Sequence, residues 1–260
     1  MSQTGLRVLA TRPLAQADRL LLPLREAGYL AENIPLLAIE PLELEPVQRQ
    51  CLLDLDQFHK VVVISPSAAA TLLDQLEDYW PQWPLGVDWF TVGAGTRDAL
   101  QQAGITARYP KTGDKSEDLL LLPELQPLSG EKVLLVKGVG GRPLLEETLV
   151  SRGARVTTLP IYARVKPRLQ LQQIHSLLQG DFAVRIITSA ESLLQYAEFA
   201  ATSDFNTGLV QQQWLEQALL VPSYRIEQQA KSMGFRKVFN SDGAGADAII
   251  RRLRQEFPAV

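Results

Sequence analysis

Short apolar runs alternate along this chain with amphipathic stretches of helix length. Such an alternation is typical of a parallel sheet with helices on both of its faces. Four of the amphipathic stretches are followed by a glycine, the residue favoured at the end of a helix. These glycines are Gly28, Gly104, Gly153 and Gly234. The pattern therefore predicts an α/β fold.

The same order of elements occurs twice in the chain. Arg7–Pro13 matches Lys132–Gly138 at an offset of 125 residues, which also places Gly28 on Gly153. A repeat of this length predicts two similar α/β units. The further matched segments are Pro35 with Pro160, Val61–Ser65 with Val184–Ser189, and Thr91–Thr96 with Leu219–Ser223.

Two segments bounded by prolines occupy matching places in the two halves. Asn33–Pro41 and Thr158–Pro167 are extended in character, because a proline restricts the residue before it to β or polyproline conformations. A helix is therefore excluded in both segments. Two interpretations fit them equally well: edge strands, or a two-stranded connection between domains.

The composition is that of an ordinary globular protein. Of the 260 residues, 46% are hydrophobic and 21% are charged, which excludes a disordered chain. The net charge of -3 argues against a protein that binds nucleic acid through a summed positive field. An anionic ligand must therefore be bound by locally placed cations.

The sequence contains no metal-binding or targeting pattern. Cys51 is the only cysteine, and His59 and His175 are far apart, so neither a disulfide nor a metal cluster is expected. The N-terminus lacks the features of a signal peptide, and no apolar stretch approaches the ~20 residues of a spanning helix. We therefore expect a cytoplasmic protein that uses no metal and no other cofactor.

Polar residues follow the predicted strands, where ligands bind in open parallel α/β sheets. Arg12 and Lys137 occupy the same place after the first strand of each half, and Ser65 and Ser189 follow the second strand. The two cations suit an anionic ligand, although exposed Lys and Arg are often only solvated. Each serine also stands where the N-cap of a helix is expected. Binding and purely structural roles both stay open for these residues.

A glycine-rich turn, Gly138–Gly141, lies between a predicted strand and helix and is followed by Arg142. Such a turn exposes backbone N–H groups to an anion. It matches neither the Walker A pattern nor the G-x-G-x-x-G dinucleotide pattern, because Pro143 replaces the third glycine. Val92–Thr96 likewise lacks the third glycine. We interpret both as turns that accept an anion, and for the second a structural role fits equally well.

Several short motifs follow one another along the chain. They are Thr11-Arg12-Pro13, Ser65-Pro66-Ser67-Ala68, Val92-Gly93-Ala94-Gly95-Thr96 with the trailing Gly104, Ser116-Glu117-Asp118-Leu119, Leu159-Pro160-Ile161-Tyr162 and Thr188-Ser189-Ala190. In this order and spacing they resemble the uroporphyrinogen-III synthase family. The likeness covers nearly the whole chain.

The resemblance implies two flavodoxin-like parallel-sheet domains joined by a two-stranded β linker. On this view, residues 1–34 and 168–260 form the first, discontinuous domain, and residues 41–159 form the second. Residues 35–40 and 160–167 are then the linker strands.

The resemblance also implies a lyase that cyclises hydroxymethylbilane, with inversion of the last pyrrole ring and loss of water. This flexible substrate carries acetate and propionate groups, so cations and backbone N–H groups suit it. Because it also closes unaided to the unrearranged isomer, positioning carries most of the rate, and no acid–base pair is needed. Tyr162 matches the family tyrosine that assists departure of the hydroxyl. Its alternative role is packing against the linker.

Eight residues are then expected to bind the substrate: Arg12, Ser65, Thr96, Lys137, Gly138, Arg142, Ser189 and Ser223. The expected partners are hydroxymethylbilane and, transiently, the preceding enzyme of the pathway, with no nucleic acid and no membrane. We expect a monomer. The main alternative is a cytoplasmic two-lobed protein that binds a polycarboxylate or phosphorylated small molecule through the same cations and turns. A nucleotide-dependent enzyme is disfavoured, because no Walker lysine–serine pair accompanies the Gly138 turn.

Overall fold

A computed structural model describes residues 5–202 and 208–259 of the chain. The chain divides into two compact α/β units. Unit 1 consists of Met1–Ala38 and Val165–Val260, and unit 2 is the continuous stretch Ile39–Arg164. No helix among the described residues is long and apolar enough to cross a lipid bilayer.

Strands and helices follow one another in the alternation that the sequence predicts. In chain order they are β1 (Arg7–Ala10), α1 (Leu14–Glu26), β2 (Leu30–Asn33), β3 (Ala38–Pro41), α2 (Pro46–Leu53), β4 (Lys60–Val63), α3 (Pro66–Glu77), β5 (Asp88–Thr91), α4 (Ala94–Gln102), β6 (Ala107–Arg108), α5 (Ser116–Leu119), β7 (Lys132–Gly138), α6 (Leu144–Ser151), β8 (Arg155–Val165), α7 (Leu171–Gln179), β9 (Val184–Ile186), α8 (Ala190–Thr202), α9 (Gly208–Leu215), β10 (Ala218–Val221), α10 (Tyr224–Ser232), β11 (Lys237–Asn240) and α11 (Ala246–Glu256).

The two sheets have the same strand order. Unit 1 has the parallel order β2-β1-β9-β10-β11. In unit 2 the parallel strands follow the order β8-β7-β4-β5-β6, with β3 added beside β8. The repeat places β7 and β8 on β1 and β2, so both sheets have the 2-1-3-4-5 order of flavodoxin-like folds. The predicted fold class and the predicted repeat are both confirmed.

The core of each unit lies on both faces of its sheet. All four residues of β4 are buried. Val61 and Val63 pack into one apolar cluster, and Val62 packs into a second one. Side chains alternate between the faces of a strand, so a run of valines serves both faces when helices cover each of them.

Matching glycines end matching helices in the two halves. Gly28 follows α1 and Gly153 follows α6, with φ values of 91° and 95°. Non-glycine residues rarely adopt this left-handed conformation, so a glycine at these positions predicts the end of a helix.

The two proline-bounded segments contribute neighbouring strands. β3 lies beside β8, and the backbone N–H of Leu42 donates to the carbonyl of Ile161 at 2.9 Å. β8 runs without interruption through Pro160, so the expected border between second domain and linker falls inside a strand. A β-bulge makes this possible: Lys137 pairs with Pro160, whereas Gly138 pairs with Tyr162. Proline, which has no N–H to donate, is tolerated within sheets at such bulges.

Candidate active site

The strand order of unit 2 has its switch point between β4 and β7. From these paired neighbours the chain continues to β5 on one side and to β8 on the other. Ligands of open α/β sheets bind at this point, beyond the carboxyl ends of the strands. Ser65 follows β4 and Gly138 ends β7. The fold therefore places two of the predicted site residues at the expected position for a ligand.

The phenol of Tyr162 lies at the same point. The bulge in β8 sets Tyr162 opposite Gly138, and the tyrosine is only 2% exposed. Its oxygen lies 3.1 Å from Oγ of Ser65, within hydrogen-bond distance. Buried phenols generally have a hydrogen-bond partner, and Ser65 supplies one here. The structure thus brings Tyr162, Ser65 and Gly138 together.

Gly138 leaves the space that the phenol occupies. A Cβ atom at this position would lie 2.5 Å from Cζ and 2.9 Å from Oη of Tyr162. These distances are well below van der Waals contact. The sequence pattern pointed to a turn that accepts an anion, and the structure adds a second reason for the glycine: close approach of an aromatic ring.

Ser65 has a second partner besides the phenol. Its Oγ accepts a hydrogen bond from the backbone N–H of Ala68 at 3.1 Å, and Pro66 is the first residue of α3. Ser65 is therefore the helix cap that its position before a proline suggested. The capping role and the contact with Tyr162 are both present in one side chain.

Arg164 is a neighbour of the phenol that the sequence reasoning missed. Its Nη2 lies 3.5 Å from Oη of Tyr162, and its guanidinium carbon is 5.8 Å from the centre of the ring. Alternate residues of a strand point to the same face. Arg164 could therefore have been identified from the sequence as a cation two positions after the tyrosine.

A cleft of ≈ 510 Å³ opens beside the first turn of α4, at the carboxyl ends of β4 and β5. Thr96 lines it and is 3% exposed, and its hydroxyl makes no hydrogen bond within the described ranges. Lys111 and Asp114 line the cleft from the loop that follows β6. The Thr96 hydroxyl and the Lys111 ammonium group can both donate to an anion. Lys111 is a second residue that the sequence reasoning missed.

The two cations of unit 2 that were predicted to bind substrate, Lys137 and Arg142, differ in their surroundings. Lys137 is half-buried in β7, and its side chain makes no ion pair with any described residue. Arg142 is exposed and donates to both carboxylate oxygens of Glu117, at 2.6 and 3.1 Å. These hydrogen bonds favour the charged carboxylate and lower the pKa of Glu117. Lys137 is therefore available to a ligand, whereas Arg142 already has an anionic partner.

Arg12 lies at the corresponding switch point of unit 1, after β1. Its backbone N–H donates to Oδ1 of Asn33, and Nδ2 of Asn33 donates back to the carbonyl of Arg12, both at 3.0 Å. The guanidinium donates to the carbonyl of Ala244, while its Nε has no hydrogen-bond partner among the described residues. Burial is the main cause that lowers the pKa of Arg12.

Of the two predicted serines of unit 1, Ser189 caps a helix through its side chain and Ser223 does not. Oγ of Ser189 accepts from the backbone N–H of Ser192 at 3.0 Å and lies 2.8 Å from the Ser192 hydroxyl. Ser223 precedes α10, but its side chain makes no capping hydrogen bond. Leu37 aligns with Tyr162 in the repeat and is a buried aliphatic residue. The phenol is therefore present in one half of the repeat only.

Comparison with known proteins now places this chain. The family described as uroporphyrinogen-III synthase HemD matches residues 18–251. The uroporphyrinogen-III synthase of Escherichia coli (strain K12) is 31% identical over 250 residues, which are 95% of this chain and 99% of that protein. The chain belongs to the uroporphyrinogen-III synthase family.

Two solved structures show the same fold. Uroporphyrinogen-III synthetase of Helicobacter pylori has a TM-score of 0.60 at 13% identity, covering 94% of this chain and 96% of that chain. A mutant uroporphyrinogen III synthase of Thermus thermophilus has a TM-score of 0.54 at 19% identity, covering 96% and 99%. Family membership also confirms the expected activity, that of a cyclising lyase in tetrapyrrole biosynthesis. The roles of individual site residues stay predictions.

Proposed function

We propose that this member of the uroporphyrinogen-III synthase family performs its chemistry at the switch point of unit 2, with Tyr162 as the proton donor. The reaction cyclises hydroxymethylbilane, inverts its last ring and releases water. One observation supports this location above all: a buried phenol lies 3.1 Å from a helix-capping serine at the carboxyl edge of the sheet.

The first chemical step is departure of the terminal hydroxyl group. The bond between the hydroxymethyl carbon and its oxygen breaks, and its electron pair leaves with the oxygen. The adjoining pyrrole stabilises the cation that remains. A phenol that gives its proton to the departing oxygen turns a poor leaving group, hydroxide, into water. Such assistance speeds the step, because water is a much better leaving group than hydroxide.

Binding of the substrate carboxylates falls to the donors around this point. The N-terminus of α4 carries a partial positive charge, and Thr96 and Lys111 line the cleft beside it. Lys137 contributes an ammonium group that has no other described partner. We assign these groups to carboxylate binding, because charge-assisted hydrogen bonds hold such groups best. For Arg12 of unit 1, carboxylate binding stays a separate prediction.

Selectivity for the inverted isomer comes from positioning. The substrate closes unaided, so the protein must hold its two ends in the geometry that leads to inversion and speed that path past the spontaneous one. Holding reacting groups in place accounts for a large part of many enzymatic rates. A separate general base is therefore not required at this site.

The substitution Tyr162→Phe tests the proposal. It removes one hydroxyl and keeps the ring, so the fold and the substrate KM should be retained while kcat falls roughly tenfold to a thousandfold. Spontaneous closure then competes, and the product shifts toward the unrearranged isomer. Enzymatically made hydroxymethylbilane is supplied, the product is oxidised, and the porphyrin isomers are separated and counted.

Tyr79→Phe is the matched control, since Tyr79 lies on the surface just after α3, away from the switch point. It should leave kcat and the isomer ratio unchanged. Unaltered turnover and isomer ratio in Tyr162→Phe would remove Tyr162 from the mechanism. The cytoplasmic location, the monomeric state and a transient contact with the preceding enzyme remain further predictions.

A further inference from the structure

A buried phenol that gives up its proton leaves a negative charge on its oxygen. An unpaired charge away from water is costly, so the reaction is slow unless donors already point at this oxygen. Two such groups lie around Oη of Tyr162: Oγ of Ser65 at 3.1 Å and Nη2 of Arg164 at 3.5 Å. Tyr162 itself is 2% exposed, which limits stabilisation of its oxygen by water.

We propose that Ser65 and Arg164 are positioning residues that act through Tyr162. They hold the phenol oxygen in place and stabilise the negative charge that develops on it. This inference rests on the proposed role of Tyr162 as proton donor. It assigns to Ser65 a role other than substrate binding and brings Arg164 into the site.

The cap hydrogen bond of Ser65 fixes the place of its hydroxyl. Oγ accepts from the N–H of Ala68, and in the proposed arrangement the hydroxyl proton of Ser65 is donated to Oη of Tyr162. Donation from Ser65 to Oη leaves the phenol's own proton directed to the substrate. The N-terminal end of α3, with its partial positive charge, lies at the same place and favours a negative oxygen.

Arg164 supplies the positive charge. It lies two residues after Tyr162 on the same face of β8. The side chain of Arg164 is exposed, whereas the phenol is buried. The 3.5 Å between Nη2 of Arg164 and Oη of the neutral phenol is longer than an ordinary hydrogen bond. Charge-assisted hydrogen bonds are shorter and stronger, and catalytic hydrogen bonds often tighten only when the substrate is bound.

The proton balance of the cycle closes. The O–H bond of Tyr162 breaks and a new O–H bond forms on the departing oxygen, while the carbon–oxygen bond of the substrate breaks and water leaves. Closure with inversion forms two carbon–carbon bonds to the last ring and breaks the one that joined this ring to the preceding bridge, and the cyclised product loses one proton. That proton restores the phenol, so Ser65 and Arg164 stabilise the charge only between these two steps.

Double-mutant cycles test this proposal. Ser65→Ala and Arg164→Met are each measured alone and combined with Tyr162→Phe. Alone, each should lower kcat about tenfold or more with KM within about twofold, since it weakens an interaction made as charge develops. In the Tyr162→Phe background each should change kcat by less than about twofold, because the group it serves is gone.

Further variants separate charge stabilisation from simple folding effects. Ser65→Asp keeps a good helix cap but has no proton to donate, so it should retain the melting temperature and still lose turnover. Arg164→Lys should restore part of the activity that Arg164→Met loses. Arg155→Met, at the other end of β8, is the matched control and should leave kcat and KM unchanged.

Two results would overturn the proposal. If Ser65→Ala and Arg164→Met lower kcat equally in both backgrounds, or raise only KM, then these residues bind substrate or maintain the fold and do not act through Tyr162. If Tyr162→Phe alone has no effect, the proposed role of Tyr162 fails as well. The first result leaves Tyr162 as proton donor, so the two failures are distinguishable.

Discussion

The contact between Gly138 and Tyr162 allows a prediction from distances alone. Gly138→Ala adds one methyl group whose carbon would lie 2.5 Å from Cζ and 2.9 Å from Oη of the phenol. Real contacts of a Cβ atom ordinarily begin near 3.4 Å. The ring must therefore move by about 0.9 Å, the difference between 3.4 and 2.5 Å, or the two strands must separate.

Movement of the ring has two consequences of known size. Forcing a methyl group into a packed region costs about 1–3 kcal/mol of folding free energy. A shift of about 1 Å also lengthens the 3.1 Å contact between Tyr162 and Ser65 beyond hydrogen-bond distance. Misplacement of this size at a reacting group lowers turnover by roughly a hundredfold. We expect Gly138→Ala to lose both stability and kcat, and to release more of the unrearranged isomer.

Urea unfolding measures the first effect, and the isomer assay with hydroxymethylbilane measures the second. Gly245→Ala is the matched control, since φ of Gly245 is -73° and a Cβ there meets nothing within 4 Å. In a Tyr162→Ala background the added methyl has room, so the stability cost of Gly138→Ala should largely disappear. A Gly138→Ala protein with unchanged kcat and unfolding free energy would refute the steric argument.

Three further predictions concern charged groups. Lys137→Ala and Arg12→Ala should each raise KM about tenfold or more and change kcat less. This is the effect expected for loss of a charged hydrogen bond worth ~1.5–3 kcal/mol. Saturation curves that match the wild type would exclude these residues from substrate binding. Arg185 is 1% exposed and donates to three carbonyls near the end of α7. Arg185→Met leaves these carbonyls without their donor, so it should lower the free energy of unfolding by about 3 kcal/mol. Urea midpoints equal to those of the wild type would contradict this.

Matching elements of the two halves could be predicted because they depend on local signals. Strand-like runs of β-branched residues, glycines after helices and prolines in extended segments report the conformation of their own neighbourhood. The repeat then related the halves, and the order of motifs was enough to indicate the family. Ser65 as a helix cap is predictable in the same way, from the proline that follows it.

The arrangement of side chains around Tyr162 could not be predicted from local sequence signals. Ser65, Gly138 and Tyr162 are distant in sequence, and they meet because β4, β7 and β8 are neighbours in one sheet. The bulge that turns Tyr162 toward Gly138 depends on the pairing of two strands, which no single segment encodes. The sequence predicts substrate binding for both Lys137 and Arg142, and only the fold shows that Arg142 is paired with Glu117.

The sequence by itself determined the alternation of strands and helices, the repeat and the family, because these follow from periodicity and from residues close together in the chain. Tertiary structure alone decided which side chains surround the phenol, that Arg142 pairs with Glu117, and why Gly138 must be small. Distances between residues far apart in sequence depend on strand pairing and packing, and a one-residue bulge is enough to change which side chains meet.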